Sequence, residues 1–184
     1  LVADHVHEGD HLPSGDVVAR EVAPGELLAE VEAIVHPEQD TYVRYALLGP
    51  GAVGLLYGGR LAAAGNELHI VGRSDVDHLR AHGFVLESPW GDVCMTVPAY
   101  ADAREVPPVD VVLVAIKTTA NEALPDLLAP LVHDGTIVVL LQNGLDVEGP
   151  VAAGLPGAHV LGALCFVCAL KVGPAHAPHV DYGS

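Results

Sequence analysis

Gly49, Gly51 and Gly54 stand in GxGxxG spacing within Tyr45-Ala-Leu-Leu-Gly-Pro-Gly-Ala-Val-Gly54, between an apolar run and a small-residue helical stretch. That arrangement is suited to holding a pyrophosphate. The first glycine permits a tight turn out of a strand, the second lets backbone approach the phosphates, and the third lets the following helix pack closely on the sheet. The helix would aim its unpaired N–H groups and the positive end of its dipole at the anion. Pro50, Ala52 and Val53 complete the loop, so 49–54 as a whole is the expected cofactor contact. The competing reading is a glycine turn with a purely structural role.

Three further side chains stand where such a ligand would be read. Many NAD sites place an Asp or Glu at the end of the second strand to hold the ribose 2′-hydroxyl. Here Glu67-Leu-His-Ile-Val-Gly-Arg73 ends in a guanidinium, followed by Ser74. A planar fork of donors suits a 2′-phosphate, which favours NADP over NAD. Lys117 follows the run Val109-Asp-Val-Val-Leu-Val-Ala-Ile, and Gln142-Asn143-Gly144 follows Thr136-Ile-Val-Val-Leu-Leu141. Taken singly, Lys117 reads as a solvated strand-end lysine and Asn143-Gly144 as a turn. Together they lie beyond strand ends on the side where open α/β sheets bind ligands.

The elements that must position these residues follow from pattern. Near-continuous β-branched runs mark strands buried on both faces of a parallel sheet. The chain therefore reads as an α/β protein of Rossmann type, doubly wound, with a mostly parallel sheet. Strands are expected at 44–48, 67–72, 110–116, 136–141, 159–170 and 176–182, with a hairpin from Phe84–Glu87 and Asp92–Val97. Helices are expected at 52–65 (closed by Gly65), near 75–82, near 120–131 and near 145–153. Pro125 would break or restart the third of them.

The ordered set Leu48-Gly-Pro-Gly-Ala-Val-Gly54, Arg73, Val114-Ala-Ile-Lys117-Thr and Leu141-Gln-Asn-Gly-Leu-Asp146 resembles the N-terminal domain of the ketopantoate reductase (2-dehydropantoate 2-reductase) family. Gly162-Ala-Leu-Cys-Phe-Val-Cys-Ala-Leu-Lys-Val-Gly-Pro174 and His179 extend the likeness, which covers about Val43 to Gly183. The resemblance implies NADPH as hydride donor and a 2-keto acid, 2-dehydropantoate, as acceptor in pantothenate and coenzyme A biosynthesis. It implies cofactor contacts from the glycine turn, Arg73, Lys117 and Ala169. Asn143 is placed beside the nicotinamide and substrate. The family continues into a helical C-terminal domain that supplies the catalytic lysine. That domain is absent from this sequence, and neither Lys117 nor Lys171 matches the proton donor. The chain alone is expected to bind cofactor but turn over poorly. The alternatives are a related NADP-dependent 2-keto acid reductase, a non-catalytic nucleotide-binding module or a truncated remnant. Apolar surface around Leu161–Leu170 is expected to lie open, giving a homodimer, an aggregate or a complex with a separate helical-domain partner.

Residues 1–42 precede the likeness and Val43 makes a natural family N-terminus; the domain of interest is 43–184. The extension holds ten acidic residues and one Arg out of a chain total of 24 acidic and eight basic. Apolar residues at 27, 28, 31, 34 and 35 mark one amphipathic helix within 24–35, ended by His36-Pro37. Asp4-His-Val-His-Glu-Gly-Asp-His11 has the composition of a weak metal site, but reads better as a solvated polar segment, and no metal is assigned. A net charge of −16 argues against nucleic acid and anionic membranes. No apolar run reaches transmembrane length and no secretory signal is present, so a cytoplasmic location is expected. Cys165-Phe-Val-Cys168 lies in an apolar run where odd spacing sends the side chains to opposite faces, so it and Cys94 read as buried thiols.

Overall fold

The computed structural model describes residues 18–21 and 43–182. The acidic histidine cluster at 4–11 and the amphipathic stretch at 24–35 lie outside the described residues. In chain order the elements are β1 (Val18–Glu21), β2 (Arg44–Leu48), α1 (Ala52–Ala63), β3 (Glu67–Val71), α2 (Val76–His82), β4 (Phe84–Glu87), β5 (Val93–Met95) and β6 (Ala99–Tyr100). There follow β7 (Val111–Val114), α3 (Leu124–Leu128), β8 (Ile137–Leu140), α4 (Glu148–Gly154), β9 (His159–Leu164), β10 (Val167–Ala169) and β11 (His176–Tyr182).

The main sheet has strand order β1-β9-β8-β7-β2-β3-β6, with every pairing parallel. From β6 to β9 this is the doubly wound order of a Rossmann fold, with the reversal of direction beside β2. The pleat divides the central strands between two cores. Tyr45, Leu47, Val111, Leu113, Ile137 and Val139 face Leu55, Leu56 and Leu61 of α1. Ala46, Leu48, Val112, Val114, Val138 and Leu140 face Leu124 and Leu128 of α3 and Val151 of α4. Burial on both faces explains why these strands read as unbroken apolar runs.

A second sheet, β10-β11-β4-β5, lies against the other side of α1. The helix is thus held between two sheets, and its small residues make room for both. A Cβ on Gly58 would stand 3.0 Å from Leu47 of the main sheet, and one on Gly59 would stand 2.9 Å from Phe84 of the small one. The helix closes as expected at Gly65, whose φ is +96°. Gly65 N–H donates to Ala62 O and Asn66 N–H to Leu61 O, the paired bonds of a Schellman motif.

Several expectations need correction. The run 159–170 is not one strand: β9 ends at Leu164, and β10 pairs antiparallel with β11 in the other sheet. Residues 165 and 166 carry the chain between sheets, a corner that periodicity does not mark. That crossing also changes the cysteines. Cys168 and Cys94 are exposed and Cys165 is half-buried, so the thiols are free but not uniformly buried. The region from Thr118 to Ala123 is a 3-10 segment, and α3 starts only at Leu124 with Pro125 in its first turn, where a missing N–H costs nothing. Val18–Glu21, part of the acidic extension, where no strand was expected, runs parallel to Leu161–Leu164 as an edge strand. Its partner makes it a strand; four residues carry no signal of their own. The apolar surface expected near 161–170 is present: Leu164, Phe166, Leu170, Val172 and Val180 are exposed.

Lys171, which does not match the family's proton donor, is a tether within the fold. Its Nζ lies 2.5 Å from Oδ2 of Asp75, which is 7% exposed, and the same oxygen accepts the Ala175 N–H at 2.9 Å. The bond ties the loop before α2 to the β10–β11 turn. Burial alone would push the Asp75 carboxyl up, but hydrogen bonds from Lys171, the Ala175 N–H and the Ser74 hydroxyl outweigh it and hold it below the ordinary value. A carboxyl lowered in the folded state stabilises fully above the unfolded value, about pH 4, and ceases to do so as pH falls through the folded one. Asp75→Asn should therefore cost about 1–3 kcal/mol near neutral pH. In denaturant titrations the gap from wild type should close on acidification to about pH 2; a gap that stays constant with pH would refute the assignment.

Candidate functional site

Strand register brings the candidate residues to one edge. Leu48 lies opposite both Val71 and Val114, and Val114 lies opposite Leu140, so β2, β3, β7 and β8 end level. Gly49 N–H donates to Val71 O, Ala115 N–H to Leu48 O and Leu141 N–H to Val114 O, at 2.8–3.0 Å. The ladder thus continues one residue past each strand before the loops depart. Those loops carry 49–51, 72–74, 116–118 and 142–144.

Each glycine of the turn has a distinct steric role. Gly49 has φ +100°, and a Cβ there would stand 2.7 Å from the Ile116 side chain. A Cβ on Gly54 would collide with the Gly49 carbonyl oxygen and crowd Ala115 at 3.0 Å. Gly51 differs, since a Cβ there would meet nothing within 4 Å and its φ of −83° suits any residue. Protein packing therefore gives no reason for glycine at 51. Close approach by a ligand does.

Gly51 is also the N-cap of α1, and no side chain caps that end. Leu55 N–H is the first to bond back, to Gly51 O at 2.9 Å, which leaves the N–H groups of Ala52, Val53 and Gly54 without intrahelical acceptors. The first turn holds no acidic residue. Together these form an anion cradle at the N-terminus of a 12-residue helix.

The flanking loops are locked to the turn. The Pro50 ring lies over Gly72, where a Cβ would stand 3.0 Å from it, so the turn is fixed against the residue before Arg73. Arg73, Lys117 and Asn143 are all exposed. Their side chains make no hydrogen bond or ion pair with described residues, which leaves these polar groups available to a ligand. Lys117 follows Ile116, against which Gly49 packs, and Gly144 brings its loop to Thr118. Gln142 completes the join: its amide Nε2 donates to Ile116 O at 2.8 Å and to Asn121 Oδ1 at 2.7 Å. Gln142 is buried, and its Oε1 finds no partner among described residues. A buried unpaired acceptor is costly, so it is retained for what the amide N–H groups hold.

Ala169 is not brought to this edge. It lies half-buried in β10, packed against the core, and pairs with His179 of β11. His179 belongs to the small sheet, bonded through Nδ1 to Ser88 Oγ at 2.9 Å and tilted against the Trp90 ring at 4.3 Å, with burial lowering its pKa. The segment is tied to the loop before α2 through Lys171 instead. Gln142 and Lys171 were in view in the sequence but not in these roles, and Asp75 was not singled out. Gln142 directly follows a buried strand, a position where a polar residue signals an internal bond. Ser74-Asp75 before an apolar helix reads only as a cap. Among described residues no three His, Cys, Asp or Glu side chains gather for a metal, and no described helix is long and apolar enough to cross a membrane.

A doubly wound parallel sheet with a glycine turn and an uncapped helix N-terminus at its carboxyl edge defines a Rossmann-type nucleotide-binding fold. The family model described as ketopantoate reductase PanE/ApbA matches residues 45–184. The 2-dehydropantoate 2-reductase of Nostoc is 46% identical over 141 residues, 76% of this chain and 44% of that protein. Among solved structures, the 2-dehydropantoate 2-reductase of Geobacter metallireducens superposes with TM-score 0.71 at 32% identity, over 76% of this chain and 50% of that one. That of Methylococcus capsulatus gives 0.72 at 31% identity, over 76% and 46%. The chain belongs to the ketopantoate reductase family, a family of pyridine-nucleotide oxidoreductases. It spans about half the length of the relatives it matches.

Two glycine substitutions separate packing from ligand approach. Gly54→Ala should cost about 1–3 kcal/mol by overpacking, read as a fall of about 2–4 °C per kcal/mol in thermal melting. Gly51→Ala should cost at most about 1 kcal/mol, through the N-cap, yet weaken binding of a pyridine dinucleotide about tenfold, the scale of one lost hydrogen bond to a charged group. Equal destabilisation by both substitutions would contradict these roles.

Proposed function

We propose that residues 43–184 are the NADPH-binding domain of a 2-dehydropantoate 2-reductase, with 1–42 as a preceding extension. The observation that carries this reading is Gly51, a glycine facing open space at the mouth of α1. Gly49–Gly54 would hold the pyrophosphate, through the backbone N–H groups of the turn and first helical residues. Arg73 would take the 2′-phosphate, because β3 ends in a guanidinium where an NAD site carries an acid. NADPH, when bound, supplies the hydride that reduces the keto carbon.

The remaining roles belong to the chain's own side chains. Lys117 sits at the end of β7, beside the turn, and adds positive charge toward the bound anion. Asn143 would orient the nicotinamide and the keto acid with its amide. Gln142 holds the Lys117 and Asn143 loops at a fixed spacing through its two N–H bonds. Reduction also needs a proton within hydrogen-bond reach of the carbonyl oxygen. The resemblance assigns that donor to the family's helical domain. The substrate name rests on the relatives, which are called 2-dehydropantoate 2-reductases. Three free thiols and the lack of a membrane-crossing helix among described residues support a cytoplasmic location.

Leu164, Phe166, Leu170, Val172 and Val180 form exposed apolar surface that supports association, with a second copy or a separate helical-domain partner. Light scattering should show a species larger than the monomer, and a monodisperse monomer would remove this part of the proposal. The cofactor reading is tested by calorimetric titration with NADPH and, separately, NADH. NADPH should bind at least about tenfold more tightly, the scale of one bidentate charged contact. Arg73→Ala should abolish that preference while leaving NADH binding intact. Equal affinities in the wild type, or binding of neither, would overturn it.

A further inference from the structure

We propose that Asp75 and Lys171 form a specificity-determining pair, in which Lys171 neutralises an acidic group two residues past Arg73 whose charge would otherwise disfavour a 2′-phosphate and so favour NADH. This rests on the reading of Arg73 as the 2′-phosphate contact.

The chain does carry an acid just past β3. Asp75 lies two residues beyond Arg73, in the bend that leads into α2. A carboxylate in this neighbourhood is what an NAD site uses for the ribose 2′-hydroxyl, and what a 2′-phosphate is repelled by. Here the carboxylate is turned inward and every one of its oxygens is occupied. Oδ1 accepts the Ser74 hydroxyl at 2.9 Å. Oδ2 accepts the Ala175 N–H at 2.9 Å and lies 2.5 Å from Lys171 Nζ. Ala175 is buried with φ +48°, a left-handed conformation unusual for a residue with a Cβ. The turn of the small sheet accepts that conformation, and one result is a backbone donor aimed at Asp75.

Two of these three donors are neutral and only hold the carboxylate in place. Lys171 is the cation, and it alone cancels the charge. It comes from the β10–β11 segment, distant in sequence from the nucleotide loop. Without it, Asp75 would be a buried, uncompensated charge two residues along the chain from Arg73, on the loop that presents the guanidinium. Arg73 would then be partly neutralised from the protein side, and the phosphate would face an additional like charge. Asp77, in the first turn of α2, is a second acidic group nearby and stays constant through the comparisons below. The pair therefore acts on which cofactor binds. Neither residue is assigned contact with the ligand.

The test measures dissociation constants for NADPH and NADH on the whole chain as wild type, Lys171→Met, Asp75→Asn and the double variant, with thermal melting alongside. Lys171→Met should narrow the NADPH-over-NADH ratio about tenfold, chiefly by weakening NADPH, as expected for one uncompensated charge near a phosphate. The double variant should restore the ratio to near wild type, because the offending charge is gone. A purely structural tether would weaken both cofactors alike, and that result would overturn the proposal. If Lys171 touched the phosphate itself, the double variant would stay as poor as Lys171→Met, which would overturn it as well. If Lys171→Met does not fold, the double variant decides against wild type: an NADPH-over-NADH ratio within about twofold of wild type supports the proposal, and a ratio lowered about tenfold sinks it. A wild type without NADPH preference would instead defeat the underlying cofactor reading.

Discussion

Between Gly49 and Gly54 the chain leaves a strand, reverses and enters a helix, and it can do so in that span because no Cβ separates Gly54 from the Gly49 carbonyl. That close approach sets the height of α1 over the main sheet. It places the helix N-terminus at the level where β2, β3, β7 and β8 end together. Pro50 against Gly72, and Gly49 against Ile116, then carry the same constraint sideways to the neighbouring loops. The carboxyl edge is therefore one connected surface, whose parts are spaced by backbone contacts more than by side-chain pairing. A site for a long, rigid ligand needs that kind of spacing, since errors of an ångström accumulate along its length.

The two sheets divide the work. The main sheet supplies position through parallel register, with both faces covered. The small sheet supplies cover for α1 and, through its β10–β11 turn, two of the donors that hold Asp75. Residues far apart in sequence thus bear on one loop. The acidic balance of the chain makes this arrangement more consequential. With a net charge of −16, the anion site must be shielded locally from its own surroundings. The uncapped helix end, Lys117 and Arg73 concentrate the positive potential where the fold leaves backbone N–H groups open.

Much of this was legible in the sequence, for identifiable reasons. Val111–Val114 and Ile137–Leu140 are buried on both faces, so their apolar runs were continuous and their place in a parallel sheet was plain. Gly65 announced the end of α1 because a left-handed residue was required there. Arg73, Lys117 and Asn143 could be placed at strand ends because those strands were unambiguous. The run 159–170 misled because hydrophobicity does not record a change of sheet: both halves are apolar, and only tertiary pairing cuts between Leu164 and Val167. Asp75 and Lys171 were invisible as a pair, since an ion pair across nearly a hundred residues leaves no local trace. Val18–Glu21 gave no signal because its conformation is set by the β9 edge it joins. Gln142 was in view within its motif, but its burial followed only from the level ends of β7 and β8.

Three glycines sit within α1, at 54, 58 and 59, each placed against one of the two sheets. A glycine in a helix interior costs roughly 1 kcal/mol relative to alanine, so this segment has little helical tendency of its own. Its helical form rests instead on burial between the main sheet and the small one, which outweighs the entropy of the glycines. The phosphate cradle exists only when α1 is helical, so the nucleotide site depends on the small sheet as much as on the strands that carry its loops.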